Sequence, residues 1–427
     1  MPLLGLKARY PQIKPEIDDA IARAVREVSM HEPNVTFVVP CFRLAHFLRE
    51  CVDSILHQSY PEIEVIMLDD QSPDDTGEVA RKILADYPDR PVSYVLNEQN
   101  LGNIRNYNKG IQMARGRYVW ILSPDDRLRD PDVVEKYVRF MDAHLEVGYA
   151  FCAVHRIEGA NDAGVHRRSV YRPENLILDS RKLVKDIVDN NFELVAASVL
   201  IRKECYETVT LFPPDMPHRG DSYVWALIAL RYRVAYFSDA MVDYRVHDGS
   251  MMTTMARTNM ARMMEDDIAV PWRVKAEAAR QGANEIVTHC SRAIVSVYEH
   301  ALLGFECRGQ TCGLTPAQFE SSLARWEPDP AIASTFRSTV AAALYWKGLW
   351  KLSRGQLGGA RRALVSAIRL HPRLLLLPPL RSLFNDPRFR RALGFARVAA
   401  SAREEASTDR CARGHRPPRS GSKCAGL

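Results

Sequence analysis

The sequence predicts an α/β fold: a doubly wound, Rossmann-like sheet with a helical C-terminal region behind it. Three observations carry the prediction. Runs such as Val35-Thr36-Phe37-Val38-Val39 and Tyr118-Val119-Trp120-Ile121-Leu122 are β-branched and aromatic without alternation, which marks strands buried on both faces of a parallel sheet. Between such runs lie stretches with apolar residues at helical spacing, joined by short connections rich in turn formers. From about residue 256 onward the pattern is helical alone.

Taken in order, the first strand ends at Pro40, and an amphipathic helix follows from Phe47 to His57, apolar at Phe47, Leu48, Cys51, Val52, Ile55 and Leu56. The second strand, Glu64 to Leu68, ends in Asp69-Asp70, and Asp75-Thr76 open a helix from Glu78 to Tyr87. Val92 to Leu96 is a third strand. Asn106 to Ala114 is a helix that stops near Gly116, and the fourth strand runs from Tyr118 to Leu122 into Ser123-Pro124-Asp125-Asp126. Residues 130–255 are more mixed. Helices are predicted over Val133 to His144 and Tyr223 to Leu230, and strands over Gly148 to Val154, Ala196 to Ile201 and Val234 to Phe237, the last leading to Val242-Asp243-Tyr244-Arg245-Val246-His247. Ala341 to Leu352 and Gly359 to Leu370, followed by Pro372, form a helical hairpin that resembles one tetratricopeptide-type unit. A short helix, Glu16 to Val28, leads into the sheet, and residues 401–427, rich in Arg, Ser, Gly and Pro, are expected to be disordered. The expected division is thus a lead-in at 1–33, an α/β domain at 34–255, a helical region at 256–400 and a basic tail at 401–427.

The 427 residues are 46% hydrophobic and 26% charged, ordinary globular values that exclude a wholly disordered, collagen-like or disulfide-scaffold chain. No apolar run reaches the ~18 to 20 residues of a spanning helix, and the N-terminus has no basic head followed by a long apolar stretch. Both point to the cytoplasm, as do nine cysteines without a CxxC pair, which are expected to be small buried hydrophobes. Charge is uneven. Residues 331–427 hold 19 Lys and Arg against 4 Asp and Glu, whereas the remainder holds 39 against 48. The basic rear could meet anionic lipid, where each Lys or Arg near the surface contributes ~1 kcal/mol before salt screening, or bind a protein, or form solvated helix faces. It lacks the interleaved aromatic platform of a nucleic-acid binder.

In a doubly wound sheet, ligands sit beyond the carboxyl ends of the strands. Two strands end there in carboxylate pairs, Asp69-Asp70 and Asp125-Asp126. Hard oxygen ligands such as Asp125 and Asp126 suit Mg²⁺ or Mn²⁺, which are commonly held through one or two carboxylates plus substrate phosphates. Each pair could instead cap the helix after it. Asp70 could accept a hydrogen bond from a base or a ribose, and Asp221, beside Gly220, could be a helix N-cap. His247 is a lone histidine after a strand. No G-x-G-x-x-G follows the first strand and no G-x-x-x-x-G-K-[ST] occurs, which disfavours dinucleotide and P-loop sites.

Together these features resemble the family 2 glycosyltransferases of the GT-A fold, over roughly residues 34–255. Val38-Val39-Pro40-Cys41-Phe42 is similar to the family's first strand, and Asp69-Asp70-Gln71-Ser72-Pro73-Asp74-Asp75-Thr76 to its D-D-x-S-x-D-x-T. Asn100-Leu101-Gly102, Asn108-Lys109-Gly110 and Ala114-Arg115-Gly116-Arg117-Tyr118 follow its N-x-G…N-x-G…A-x-G-x-Y run. Ser123-Pro124-Asp125-Asp126 resembles a variant of the D-x-D metal motif, and Tyr244-Arg245-Val246-His247-Asp248-Gly249-Ser250 its Y-R-x-H-x-x-S. Three departures stand out: Gly220 where the family has Glu before Asp221, Ser123 in place of an Asp, and Tyr107 in place of a frequent Arg.

The resemblance implies a metal-dependent, inverting transfer of a sugar from a nucleoside-diphosphate sugar to a glycan, lipid-linked or protein acceptor, in glycan or polysaccharide synthesis, without nucleic acid. It implies that Pro40, Asp70 and Asn97 line the nucleotide pocket and that Asp125 contacts ribose. Asp126 would hold Mn²⁺ or Mg²⁺ at the diphosphate with help from His247, and Asp221 would be the general base. A peripheral membrane contact through the basic rear is a further expectation. The competing readings are a sugar-phosphate nucleotidyltransferase, which lacks its Gly-rich, Arg/Lys-bearing triphosphate loop here, and a non-catalytic binding protein, whose signature would be loss of the carboxylates.

Overall fold

A computed structural model describes residues 33–159, 161–171, 176–307 and 310–376. The lead-in helix expected at Glu16 to Val28, residues 377–400 and the tail at 401–427 lie outside the described residues. The chain divides into two compact units, one ending at Cys290 and one beginning at Ser291.

The first unit is built on one mixed sheet. Strands β1 (Val35–Cys41), β2 (Ile63–Asp69), β3 (Val92–Leu96) and β4 (Tyr118–Ile121) are parallel in the order β3-β2-β1-β4. Helices α1 (Ala45–Leu56), α2 (Thr76–Asp86) and α3 (Asn103–Met113) form the crossovers. All seven residues of β1 and of β2 are buried, as their unalternating composition requires. After β5 (Arg127–Leu128) and α4 (Val133–Ala143) the chain adds β6 (Val147–Glu158), β7 (Asn161–Val165), β8 (Leu176–Ile177), α5 (Ser180–Val188), β9 (Leu200–Arg202), α6 (Glu204–Thr208), α7 (Gly220–Arg231) and β10 (Arg233–Val246). The sheet continues from β4 as β9-β6-β10-β5, with β9 antiparallel to β4 and β6 and β10 parallel to β6. The sheet is therefore all-parallel only from β3 to β4 and mixed beyond it.

The strand predicted over Ala196 to Ile201 begins only at Leu200; Ala196–Ser198 is a 3₁₀ turn. Side chains claim the carbonyls that a ladder would use. The Trp120 indole N–H donates to the Ala197 carbonyl (2.7 Å) and the Tyr137 hydroxyl to the Ser198 carbonyl (2.8 Å). Trp120 also stacks on Phe37 at 5.3 Å between centroids, in a core where Cys41, Cys51, Cys152 and Cys205 are buried and free.

Helix α3 lies against β1 through Gly110. A Cβ there would stand 2.2 Å from Val38 Cγ1. Alanine in a helix gains up to ~1 kcal/mol of propensity over glycine, but a contact this short forces the helix off the sheet, and overpacking costs about 1–3 kcal/mol. Gly110→Ala is therefore expected to be destabilising, and Gly110→Val more so. A midpoint of urea unfolding that falls in that order is the expected reading; an unchanged midpoint for both would contradict this packing.

Helices α8 (Met251–Thr258), α9 (Met260–Arg280) and the start of α10 (Asn284–Leu303) complete the first unit. The sequence ends the α/β domain at 255, whereas the unit runs on to Cys290 because α9 packs on α7 and α5. The second unit contains the rest of α10, a short hairpin of β11 (Phe305–Cys307) and β12 (Gln310–Cys312), and helices α11 (Pro316–Trp326), α12 (Pro330–Ser353) and α13 (Leu357–Leu370). Helices α12 and α13 cross at Gly348, where a Cβ would come within 2.6 Å of Leu364 Cγ. Among the described residues no helix is long and apolar enough to cross a membrane.

Candidate active site

The carboxyl edge of β1 and β2 carries two non-glycine residues in the left-handed region, Arg43 (φ 61°) and Gln71 (φ 61°). Strain of this kind collects where a loop is held for a ligand. Between them lies Asp70, 3% exposed. Its carboxylate accepts from the Leu101 N–H (2.7 Å), the Gly102 N–H (2.9 Å) and Asn97 Nδ2 (2.8 Å). Gly102 can offer its N–H there because it sits at φ 78°, ahead of α3. Asn97, 1% exposed, also donates to Asn106 Oδ1 (2.8 Å) and accepts from Lys109 Nζ (2.7 Å). The hydrogen-bonding capacity of Asp70 and Asn97 is thus largely spent inside the chain. They brace β2, β3 and α3 as the wall of the cleft. Pro40 is buried in β1, opposite Leu68.

The second carboxylate pair sits on the turn after β4, closed by the Asp126 N–H donating to the Ser123 carbonyl (3.0 Å). Strand β10 pins this turn. The Arg245 N–H donates to Asp126 Oδ1 (3.0 Å), Arg245 Nε to the Asp125 carbonyl (3.0 Å), and His247 Nε2 lies 3.1 Å from Asp125 Oδ2. Phe47 backs both Arg245 and His247, with the Arg245 guanidinium 4.6 Å and the His247 ring 5.3 Å from its ring centre. Burial, and then the neighbouring Asp125 charge, pushes the Asp126 carboxyl well above the usual carboxylate range. This donor set, two carboxylates with an imidazole alongside, fits a hard divalent cation. Among the described residues no group of three metal-ligating side chains is assembled in advance. An ion here would therefore be held in the mode of one or two carboxylates completed by phosphate oxygens.

A cavity of about 450 Å³ opens beside this turn. Asp125, Asp126 and Asp221 all line it, with Tyr107, Trp225 and Tyr244. Three of the seven residues singled out in the sequence thus share one cavity; Pro40, Asp70, Asn97 and His247 lie outside its lining. Asp221 is the second residue of α7, two positions past the N-cap Arg219. Its Oδ1 accepts from the Ser222 N–H (2.5 Å), and burial pushes its carboxyl up to about 6. One turn further along α7 is Trp225, 2% exposed, with an indole N–H that has no partner among the described residues. A buried donor without a partner is costly, and this one lines the cavity. Burial, with the Asp125 and Asp221 charges, raises the Tyr107 hydroxyl well above its usual value and keeps it protonated.

Sequence reasoning missed the residues that aim Asp221. Asp266 on α9, 1% exposed, accepts from the N–H groups of His218 (2.7 Å) and Arg219 (3.2 Å) and pairs with Arg262 (3.1 Å). Asp267 pairs with Arg219 (3.2 Å), whose other nitrogen donates to the Ile187 carbonyl (2.6 Å). The one available signal was the i, i+4 pair Arg262 and Asp266 on a helix otherwise read as part of the rear region. Asp266→Ala strips two backbone donors of their partner and Arg262 of one of the two acids it pairs with. It is expected to cost about 3 kcal/mol and to lower transfer by loosening the start of α7. Thermal unfolding checks the first effect, and a variant as stable as wild type would contradict it.

The fold is of the GT-A type. Residues 36–210 match the model of glycosyl transferase family 2. TuaG of Bacillus subtilis (strain 168), named as a glycosyltransferase of teichuronic acid biosynthesis, is 29% identical over 223 residues, 52% of this chain and 82% of TuaG. The uncharacterized protein MT1568 of Mycobacterium tuberculosis is 25% identical over 309 residues, 70% of this chain and 94% of its own. Among solved structures, S. aureus TarS 1-349 in complex with UDP-GlcNAc shares the fold at a TM-score of 0.54 and 15% identity, covering 80% of this chain and 92% of that one. Residues 36–210 thus carry the sequence pattern of family 2 glycosyltransferases, as the motifs led one to expect.

Proposed function

We propose that the protein transfers a sugar from a nucleoside-diphosphate sugar to an acceptor hydroxyl with inversion at the anomeric carbon, in the synthesis of a glycan or polysaccharide. The observation that carries this reading is the single cavity shared by Asp125, Asp126 and Asp221. A non-catalytic binding protein would not need all three carboxylates around one space. TarS was solved with UDP-GlcNAc, and the same kind of donor is proposed here.

Asp126 would hold Mn²⁺ or Mg²⁺. Bound there with the diphosphate oxygens, such a cation neutralises the charge of the leaving group. Asp125, oriented by His247 at 3.1 Å, faces the same space and is positioned to accept from a ribose hydroxyl. The Trp225 indole N–H is a donor for a sugar oxygen. Asp221 receives the proton of the acceptor hydroxyl as its oxygen bonds to C1. The bond from C1 to the phosphate oxygen breaks on the opposite side, and the nucleoside diphosphate leaves with that electron pair. A single displacement of this kind inverts the configuration. The acceptor is a glycan, lipid-linked or protein hydroxyl, and contact of the basic C-terminal region with a membrane would hold the enzyme near a lipid-linked one.

Incubation with UDP-, GDP- and dTDP-sugars, Mn²⁺ and acceptor fractions tests the proposal. Release of nucleoside diphosphate and a product of opposite anomeric configuration by proton NMR are expected. Pyrophosphate release, or retained configuration, would overturn it.

A further inference from the structure

The second compact unit carries an exposed apolar and basic surface apart from the residues of the transfer cavity. Near its C-terminal end, α12 presents Trp346 and Trp350, one turn apart on one face and 64% and 50% exposed. Leu357, at the start of α13, is 56% exposed. Large apolar side chains left in water so close together mark an interaction site more often than a solvated face. The charge around them has one sign. Residues 346–376 contain seven Lys and Arg and no Asp or Glu. Arg354 stands over the Trp350 ring at 4.7 Å, and Arg361 and Arg362 are exposed on the next helix. Lys347 is the member of this set held by an acid, Glu299 at 2.9 Å.

We propose that this end of the α12–α13 pair docks on a membrane surface bearing anionic headgroups. Trp346 and Trp350 would seat at headgroup depth, with the cations around them on the phosphates. Tryptophan prefers that depth because its ring is apolar and its N–H is not. Each cation near such a surface multiplies binding about fivefold at low salt, and the attraction is screened within a Debye length. A nucleic acid would use the two rings for stacking but would gain little from Leu357, whose side chain needs an apolar surface to bury in. The segment spans no bilayer, since its helices are too short of apolar length, so the contact is peripheral. Docking would stand whether or not the transfer reading does.

The test is co-sedimentation of the full chain with vesicles of phosphatidylcholine alone and of phosphatidylcholine mixed with phosphatidylglycerol, at low and high salt. Wild type should pellet with the anionic vesicles, weakly with the neutral ones, and less as salt rises. The double variant Trp346→Ser/Trp350→Ser should bind at least ~10-fold more weakly while melting as wild type does, because both rings are exposed. Trp346→Phe/Trp350→Phe should retain part of the binding. Wild type that ignores anionic vesicles, a serine variant that pellets equally, or a chain that shifts single-stranded RNA and not vesicles would each overturn the proposal.

Discussion

Asp221→Asn is expected to lower transfer by about 10³-fold, within the ~10² to 10⁴ typical of a lost general base, and to leave donor binding nearly unchanged. The amide keeps an oxygen for the Ser222 N–H (2.5 Å) but cannot take up the acceptor's proton. The pH profile supplies a second reading. Burial raises the carboxyl from 3.8 to about 6, so the base is protonated and idle below that value. Wild-type transfer should fall on an acidic limb near pH 6, and the residual rate of the variant should lack the limb. The sign of the stability effect also follows. A carboxyl raised on folding contributes stability when protonated and loses it as pH rises through the folded value. Near neutral pH the ionised Asp221 therefore burdens the fold, and Asp221→Asn should melt no lower than wild type. A variant that turns over at the wild-type rate would remove Asp221 from the base role.

Asp126→Asn is expected to lower transfer by about 10²- to 10³-fold, the loss typical when one group that stabilises developing charge is removed. Chelation of wild type by EDTA should do the same, and added Mn²⁺ or Mg²⁺ should restore wild type but not the variant. The asparagine keeps an oxygen to accept the Arg245 N–H (3.0 Å), so the turn after β4 should survive. It also removes one of two adjacent negative charges from a buried place. Thermal shift separates the two effects. The variant should melt at or above metal-free wild type, yet lose the rise that Mn²⁺ with UDP or GDP gives wild type. Full activity of wild type in EDTA would take the metal role from Asp126.

Much of the first unit was legible along the chain. Strands β1, β2 and β4 announce themselves because both faces of each are buried, so local composition reports the environment directly. The carboxylate pairs at the ends of β2 and β4 could be placed on the ligand edge for the same reason. The strand over Ala196 to Ile201 was legible only in part. Its first carbonyls are taken by Trp120 and Tyr137, from elements that its own sequence does not mention. The α9 acids were passed over because a helix rich in acids and arginines looks alike whether it faces water or clamps a loop.

By itself the sequence determined the order of the first four strands and the helices between them, the family motifs and which carboxylates stand at strand ends, since each depends on residues a few positions apart. Only the tertiary structure decided how those carboxylates divide. Asp70 and Asn97 turn inward on each other and on Leu101, Gly102 and Lys109, while Asp221 comes across the sheet to share a cavity with Asp125 and Asp126. The reason is physical. A buried carboxylate takes whatever donors the packing brings to it, and the partners of these groups arrive from other strands and helices, where no local periodicity records them.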